Sequence, residues 1–169
     1  MFISIKKIDY NNKDDSRILE AVLNNWFINP KELNLFEPRL KYPFNYNKWK
    51  ALTYNSSNVE SFTLINDKLI IGIGSILFNT DSSRAHIMHI YIDTTYRRKG
   101  LATKIIKYLE KLANKKKMKI LSLRLMPKNE PAKKLYEKIG FQENLIQDET
   151  LTNSSANNKK TIKLYKQIN

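Results

Sequence analysis

An α/β domain built on one mixed sheet is the fold class this sequence predicts, and three observations predict it. Residues 59–93 read as three strands of an antiparallel meander. Residues 85–126 read as strand, long amphipathic helix and strand, an order that makes those two strands parallel in a right-handed unit. Between that strand and helix lies a basic turn, Arg97-Arg98-Lys99-Gly100, holding one of only 4 glycines in the chain. A strand feeding a helix through such a turn leaves backbone N–H groups free at the positive end of the helix dipole. With Arg97, Arg98 and Lys99 beside them, the anion these amides suit is a phosphate or pyrophosphate.

The elements follow in order. Residues 2–8 alternate apolar and polar, which predicts a strand. Residues 11–15 are polar and turn-like, with Asp14 or Asp15 as the cap of a helix. Ile18, Leu19, Val22, Leu23 and Trp26 carry that helix at 3.6-residue spacing, and Pro30 bars much extension. Residues 29–46 hold three prolines, several aromatics and little periodicity, predicting a structured loop or short helices that line a pocket. A second helix covers residues 46–54, with Trp49 and Leu52 inward.

Residues 59–65 and 69–78 are strands joined at Asn66-Asp67, a hairpin signal. Gly72 and Gly74, inside the second of them, mark a bulge or a close approach. Residues 79–84 form a turn, and residues 85–93 the third strand of the meander. The helix over residues 100–117 sets Leu101, Ile105, Leu109 and Leu112 on one face and Lys104, Lys107 and Lys111 on the other. Residues 118–126 are nearly continuous apolar around Arg124, predicting a buried strand that Pro127 ends. Asn129 caps a further helix with Pro131 in its first turn, and Gly140 suits the left-handed position that stops it. Two last strands fall at residues 141–146 and 161–168, with an Asn- and Ser-rich linker at residues 151–160. No repeat or domain boundary interrupts the chain, so residues 1–169 read as one domain long enough to bury a real core.

Composition narrows the class. The chain has no cysteine, so neither a disulfide framework nor a thiolate metal site is available. No apolar run approaches the roughly 18 residues a bilayer span needs, and the N-terminus turns charged too soon for a secretory signal. A soluble cytoplasmic protein is the default expectation. The formal charge is +14, from 30 Lys and Arg against 16 Asp and Glu. That excess points to an anionic partner such as a phosphorylated cofactor, nucleic acid or an acidic membrane surface. Equally, the abundance of Lys, Asn and Ile beside scarce Arg reads as a coding bias.

Three segments, in the right order, carry a resemblance to a known family. Arg97-Arg98-Lys99-Gly100-Leu101-Ala102 resembles the Arg/Gln-x-x-Gly-x-Gly/Ala loop of the GCN5-related N-acetyltransferase (GNAT) superfamily. Ile90-Tyr91-Ile92-Asp93 looks like the family's Leu-Tyr-Val-x segment. Residues 129–141, Asn129 through Ala132, Leu135-Tyr136 and Gly140-Phe141, look like its Asn-x-x-Ala-x-x-Leu-Tyr-x-x-x-Gly-Phe segment. The resemblance implies an acyl-CoA N-acyltransferase fold. Its mixed, mostly antiparallel sheet has six or seven strands splayed between the fourth and fifth, and about four helices flank it. Acetyl-CoA would sit in the gap as co-substrate. Its pyrophosphate would lie on amides of Arg98 to Thr103, through Lys99, Gly100, Leu101 and Ala102, with Arg97 opening the loop. Ile90, Tyr91 and Ile92 would pair with the pantetheine arm like an added strand, and Asn129 would hold the cofactor from the far side.

The chemistry the resemblance implies is direct attack of an amine on the thioester, without an acyl-enzyme. Tyr136 matches the position of the family's general acid, and a phenol of pKa about 10 suits a leaving thiol near 8.5. A backbone N–H near Ile90 and Tyr91 would meet the oxyanion. In the histone-acetylating branch a glutamate lies on this strand eleven residues before the loop's first Arg or Gln. The same count from Arg97 lands on His86, a competent base at neutral pH directly or through water. His89, three residues on, is expected to face the other side of the strand. No metal site is expected. The acceptor would lie against residues 26–49, where Phe36, Tyr42, Phe44 and Tyr46 stand near Glu32 and Glu37. Aromatics beside acids suit an amine on an apolar or planar group.

Other classes fit less of the chain. A non-catalytic acyl-CoA sensor would keep the pocket and lose the chemistry, yet Asn129 and Tyr136 are both retained. Against a nucleic-acid module, the lysines are scattered and no binding motif is present. The partners expected are therefore acetyl-CoA and an amine, with no membrane, in a monomer or homodimer.

Overall fold

Turn residues and side-chain alternation produce the expected meander. The computed structural model describes residues 1–143 and 161–169. Its six strands are β1 Ile3–Lys7, β2 Val59–Asn66, β3 Leu69–Asn79, β4 Arg84–Ile92, β5 Ile120–Leu125 and β6 Ile162–Gln167. They lie side by side in chain order. All neighbours are antiparallel except β4 and β5, which run parallel. Between those two the chain returns through helix α4, Leu101–Lys115, as a parallel pair requires. The remaining helices are α1 Lys13–Trp26, α2 Pro30–Phe36, α3 Tyr46–Thr53, and α5 Glu130–Ile139, with a 3-10 turn at Thr94–Tyr96; in the order of the chain, α4 thus precedes α5.

Capping explains where the helices start. Asn12, rather than Asp14 or Asp15, caps α1: its side chain accepts from both of their amides, and the two acids sit in the first turn where the dipole favours them. Pro30, which bars extension of α1, occupies the first turn of α2 behind an Asn29 cap, where its missing N–H costs nothing. Of the structured loop or short helices expected over residues 29–46, Pro30–Phe36 is such a helix. Leu52 is the clear misplacement. It is 43% exposed, on the outer side of a helix only two turns long, whereas Trp49 is wholly buried. The strand expected at residues 141–146 is reduced, among the described residues, to a bridge between Gln142 and Tyr165. Residues 144–146 and the linker at 151–160 lie outside the described residues.

The core divides between the two faces of the sheet. On one face α4 and α5 bury Leu101, Ile105, Ile106, Leu109 and Tyr136 against Ile71, Ile87, Leu121 and Leu164. On the other, α1 to α3 bury Leu19, Leu23, Phe27, Phe36 and Trp49 against Ile73 and Tyr91. Gly74 lies beneath α4, and a Cβ there would come within 2.8 Å of side-chain atoms of both Ile105 and Ile90.

Two departures from regularity position everything that follows. First, β4 and β5 pair only through Arg84–Ile120, Ala85–Leu121 and His86–Ser122. Beyond that rung they part, so the sheet is splayed between its fourth and fifth strands. Second, β4 carries a bulge. Ile73 pairs with Tyr91 and Ser75 with Met88, two steps on β3 against three on β4. His89 takes the extra step in a left-handed conformation, φ 53°.

Candidate active site

The splay opens a cavity of about 370 Å³ bounded by the end of β4, the start of α4 and the start of α5. Ile90, Tyr91, Ile92, Arg97, Arg98, Gly100, Leu101, Ala102, Thr103, Asn129 and Tyr136 all line it. Of the residues predicted to touch a cofactor, Lys99 alone lies off the wall, with its ammonium 5.6 Å from the centre of the Tyr96 ring. The turn into α4 holds two left-handed residues, Arg98 at φ 63° and Gly100 at φ 75°. Gly100 is the helix cap and offers no side chain to the first amides of α4. Those N–H groups need acceptors from elsewhere, and they point the positive end of a 15-residue helix at the cavity.

Arg97 is placed differently from a phosphate ligand. Its Nε donates to the Ile92 carbonyl at 2.9 Å and its Nη2 pairs with Glu32 at 3.0 Å. The guanidinium also lies 5.0 Å from the centre of the Tyr91 ring. It therefore fastens α2 to the end of β4. Asn129 caps α5, accepting from the Ala132 amide at 3.4 Å. Tyr136 has no hydrogen-bond partner for its hydroxyl among the described residues. Burial pushes that hydroxyl up to about 12, so it holds its proton at neutral pH.

A second cavity, also about 370 Å³, lies on the other side of the bulge. Leu35 and Phe36, at the end of α2, line both. His86 and His89 both line this second cavity, which corrects the expectation that they face opposite ways. Strict alternation would send His89 toward α4. The extra residue of the bulge returns it to the face of His86 and Met88. His86 stands at the last paired rung of the splay, its Nδ1 2.8 Å from Ser122 Oγ. Desolvation, then the charges of Lys163 and Arg124, push its imidazole down to about 3. The ring is neutral at neutral pH and carries a proton poorly.

His89 anchors a buried polar chain that sequence reading missed. Its Nε2 meets Glu37 Oε1 at 3.0 Å and its Nδ1 meets the Tyr54 hydroxyl. The Tyr54 hydroxyl lies 2.7 Å from Ser75 Oγ, the Ser75 and Ser61 hydroxyls lie 2.7 Å apart, and Tyr10 donates to Ser61 at 2.7 Å. Glu37 is also gripped by Arg39, whose Nη2 donates to Oε1 at 2.6 Å and whose Nε donates to Oε2 at 3.0 Å. Burial alone would raise Glu37, but the hydrogen bonds from His89 and Arg39 outweigh it and hold the carboxyl at about 2. Burial likewise lowers His89, against the pull of Glu37. The acids expected to await an amine are thus both taken, Glu37 by Arg39 and Glu32 by Arg97. Tyr42 is exposed, while Phe36 and Tyr46 are core.

A gap between splayed strands, an uncapped helix turn at its mouth and a β4 bulge between two cavities agree with what sequence comparison finds. Residues 21–141 match the family model described as acetyltransferase (GNAT) family. The chain belongs to the GNAT acetyltransferase family. It is by family an acyltransferase, and solved structures share the GNAT fold over nearly its full length. The GNAT domain of S. lividans PAT matches at TM-score 0.72 and 9% identity, over 96% of this chain and 89% of that one. PaiA N-acetyltransferase from Thermoplasma acidophilum, in complex with coenzyme A, matches at 0.69 and 16%, over 99% of each chain. The ribosomal-protein-S18-alanine N-acetyltransferase from Escherichia coli matches at 0.68 and 16%, over 99% of this chain and 94% of that one. No curated protein matches the sequence. Among the described residues of this GNAT chain no helix is long and apolar enough to cross a membrane, and no cluster of His, Cys, Asp or Glu could hold a metal.

The neutral histidines make acid a specific threat to the fold. Both have folded pKa values below the unfolded value of about 6.5. As pH falls below that value the unfolded chain binds protons that the folded one refuses. Each histidine then costs up to about 1.4 kcal/mol of stability per pH unit. The melting midpoint is expected to fall from pH 7 to pH 5, and less steeply in His86→Gln. A midpoint that stays level would mean that both rings protonate in place.

Proposed function

We propose that this protein, acting through residues 1–169 as one catalytic domain, transfers an acetyl group from acetyl-CoA to a primary amine in a ternary complex. The observation that carries this reading is the bulge itself, with a phosphate-ready cavity on one side and a second cavity on the other. The coenzyme A complex of a neighbour with the same fold supports a CoA thioester as donor. Pyrophosphate oxygens would accept from amides of Arg98 to Thr103, and the pantetheine arm would pair with the β4 edge at Ile90, Tyr91 and Ile92. Asn129 would border it from α5. Arg97 contributes through its backbone and through the placement of Tyr91, and Lys99 adds only charge to the approach.

The acceptor nitrogen, entering from the second cavity, bonds to the thioester carbonyl carbon. A backbone N–H at Ile90 or Tyr91 receives the oxyanion. Collapse breaks the C–S bond, Tyr136 protonates the departing thiolate, and the amide product forms. His86, neutral, accepts a hydrogen bond from the amine and orients it, and the amine's proton leaves to water.

Acetyl-CoA at a hundred times its dissociation constant is expected to stabilise the protein by about 2.7 kcal/mol, a melting shift of about 5–10 °C for a chain of this length. An absent shift defeats the reading. A shift without thiol release across a broad amine panel would instead favour an acyl-CoA sensor.

A further inference from the structure

The second cavity has an electrostatic character that restricts its occupant. Most of its wall is apolar, including Leu35, Leu52, Leu77, Met88, Leu125 and Met126. Its one carboxylate among the described residues, Glu37, has both oxygens occupied: Oε1 by Arg39 Nη2 and His89 Nε2, Oε2 by Arg39 Nε and the Arg39 amide. Its negative charge is matched by Arg39 and is spoken for. Both nitrogens of His89 are engaged as well.

Arg124 remains. It lies two residues beyond Ser122 on β5 and therefore on the same face, about 7 Å up the strand. Ser122 is the partner of His86 at the apex of the splay. Arg124 Nη1 donates to Thr161 Oγ1 at 3.3 Å, and no carboxylate pairs with it among the described residues. A guanidinium presents five donors in a planar fork, so one long bond to a hydroxyl leaves most of it unused. Among the cations that act on the His86 ring, Arg124 lines the cavity, whereas Arg39 there is balanced by Glu37. An acceptor that brings only positive charge meets the Arg124 guanidinium and is repelled by it. One that brings a carboxylate finds a fork shaped for it.

We propose that the acceptor is a small amine that also bears a carboxylate, an amino acid with an apolar side chain, and that Arg124 binds that carboxylate while the amine lies near His86. The apolar wall accommodates the side chain, and the volume of about 370 Å³ is of the order of one small ligand. This inference rests on the acetyltransferase reading above.

The test compares matched amines. Leucine and phenylalanine are set against leucinamide, isopentylamine, phenethylamine and spermidine, with thiol release from acetyl-CoA as readout. The protein has no cysteine to contribute background. The carboxylate-bearing members are expected to exceed their neutral counterparts in kcat/KM by about 10- to 100-fold. In Arg124→Gln that preference is expected to vanish while the melting shift given by acetyl-CoA persists. Arg124→Lys should keep part of it, because charge survives without the fork. Where turnover is too slow to follow, the same panel is titrated into protein saturated with coenzyme A. Better turnover or binding of the amides, the bare amines or spermidine overturns the proposal, as does failure of both amino acids to bind. Loss of the acetyl-CoA shift in the parent protein strikes the donor reading instead.

Discussion

Tyr136→Phe is expected to lower kcat by about 10²- to 10⁴-fold and leave the affinity for acetyl-CoA unchanged. The substitution removes a single oxygen that has no partner among the described residues, so none of them is left unpaired and the helix keeps its packing. The ring remains against Phe141, 6.2 Å between centroids. What is lost is a proton held ready beside the leaving sulfur. Because burial pushes the hydroxyl up to about 12, the parent phenol stays protonated across the working range. The difference between parent and variant should therefore persist from pH 6 to pH 9 rather than fade at the alkaline end. Single-turnover thiol release measures it; a variant with parental kcat would leave the thiolate to leave unassisted and remove Tyr136 from the chemistry.

The second large effect concerns the fold. Glu37→Ala is expected to cost about 3–5 kcal/mol, read as a lower urea midpoint. The carboxylate is among the most buried charged groups in the chain, 4% exposed. It accepts from Arg39 three times and from His89 once. Its removal leaves a guanidinium and an imidazole facing a void beside Phe36 and Trp49. Glu37→Gln keeps an acceptor oxygen for His89 and should lose less. If Glu37→Ala unfolds within about 1 kcal/mol of the parent, the chain from Arg39 to Tyr10 is not what holds α2 and α3 against the sheet.

The two sides of the site were unequally legible in the sequence. The cavity beside α4 is written in contiguous stretches, Ile90 to Thr103 and Asn129 to Tyr136, because an anion site on a helix start needs only a strand, a turn and a helix in succession. Every residue predicted there to touch a cofactor, except Lys99, lines that cavity. The second cavity depends on pairings across long separations, such as Glu37 with His89, 52 residues apart. It also depends on a bulge, which adds one residue to one strand and leaves no mark in side-chain pattern. His89 was misdirected for that reason alone. The same blindness hid the Tyr10–Ser61–Ser75–Tyr54 chain, whose members read singly as ordinary strand and helix polar residues. Leu52 failed for a different reason: eight residues of helix give too few turns for periodicity to choose between two faces. Arg124 did leave a trace, as the lone charge between Ile120 and Leu125.

The bulge in β4 also divides the strand's liability to change. Residues before it, His86 and Met88, line the second cavity, while Ile90 to Ile92 line the cavity beside α4. The slip at His89 gives each half its own in-and-out phase, so the half facing the second cavity can be rewritten without disturbing the half that faces α4. That independence rests on Gly74 across the sheet, whose absent side chain leaves the space Ile90 occupies. A residue that touches neither cavity is thus what lets the wall of one change while the wall of the other is kept.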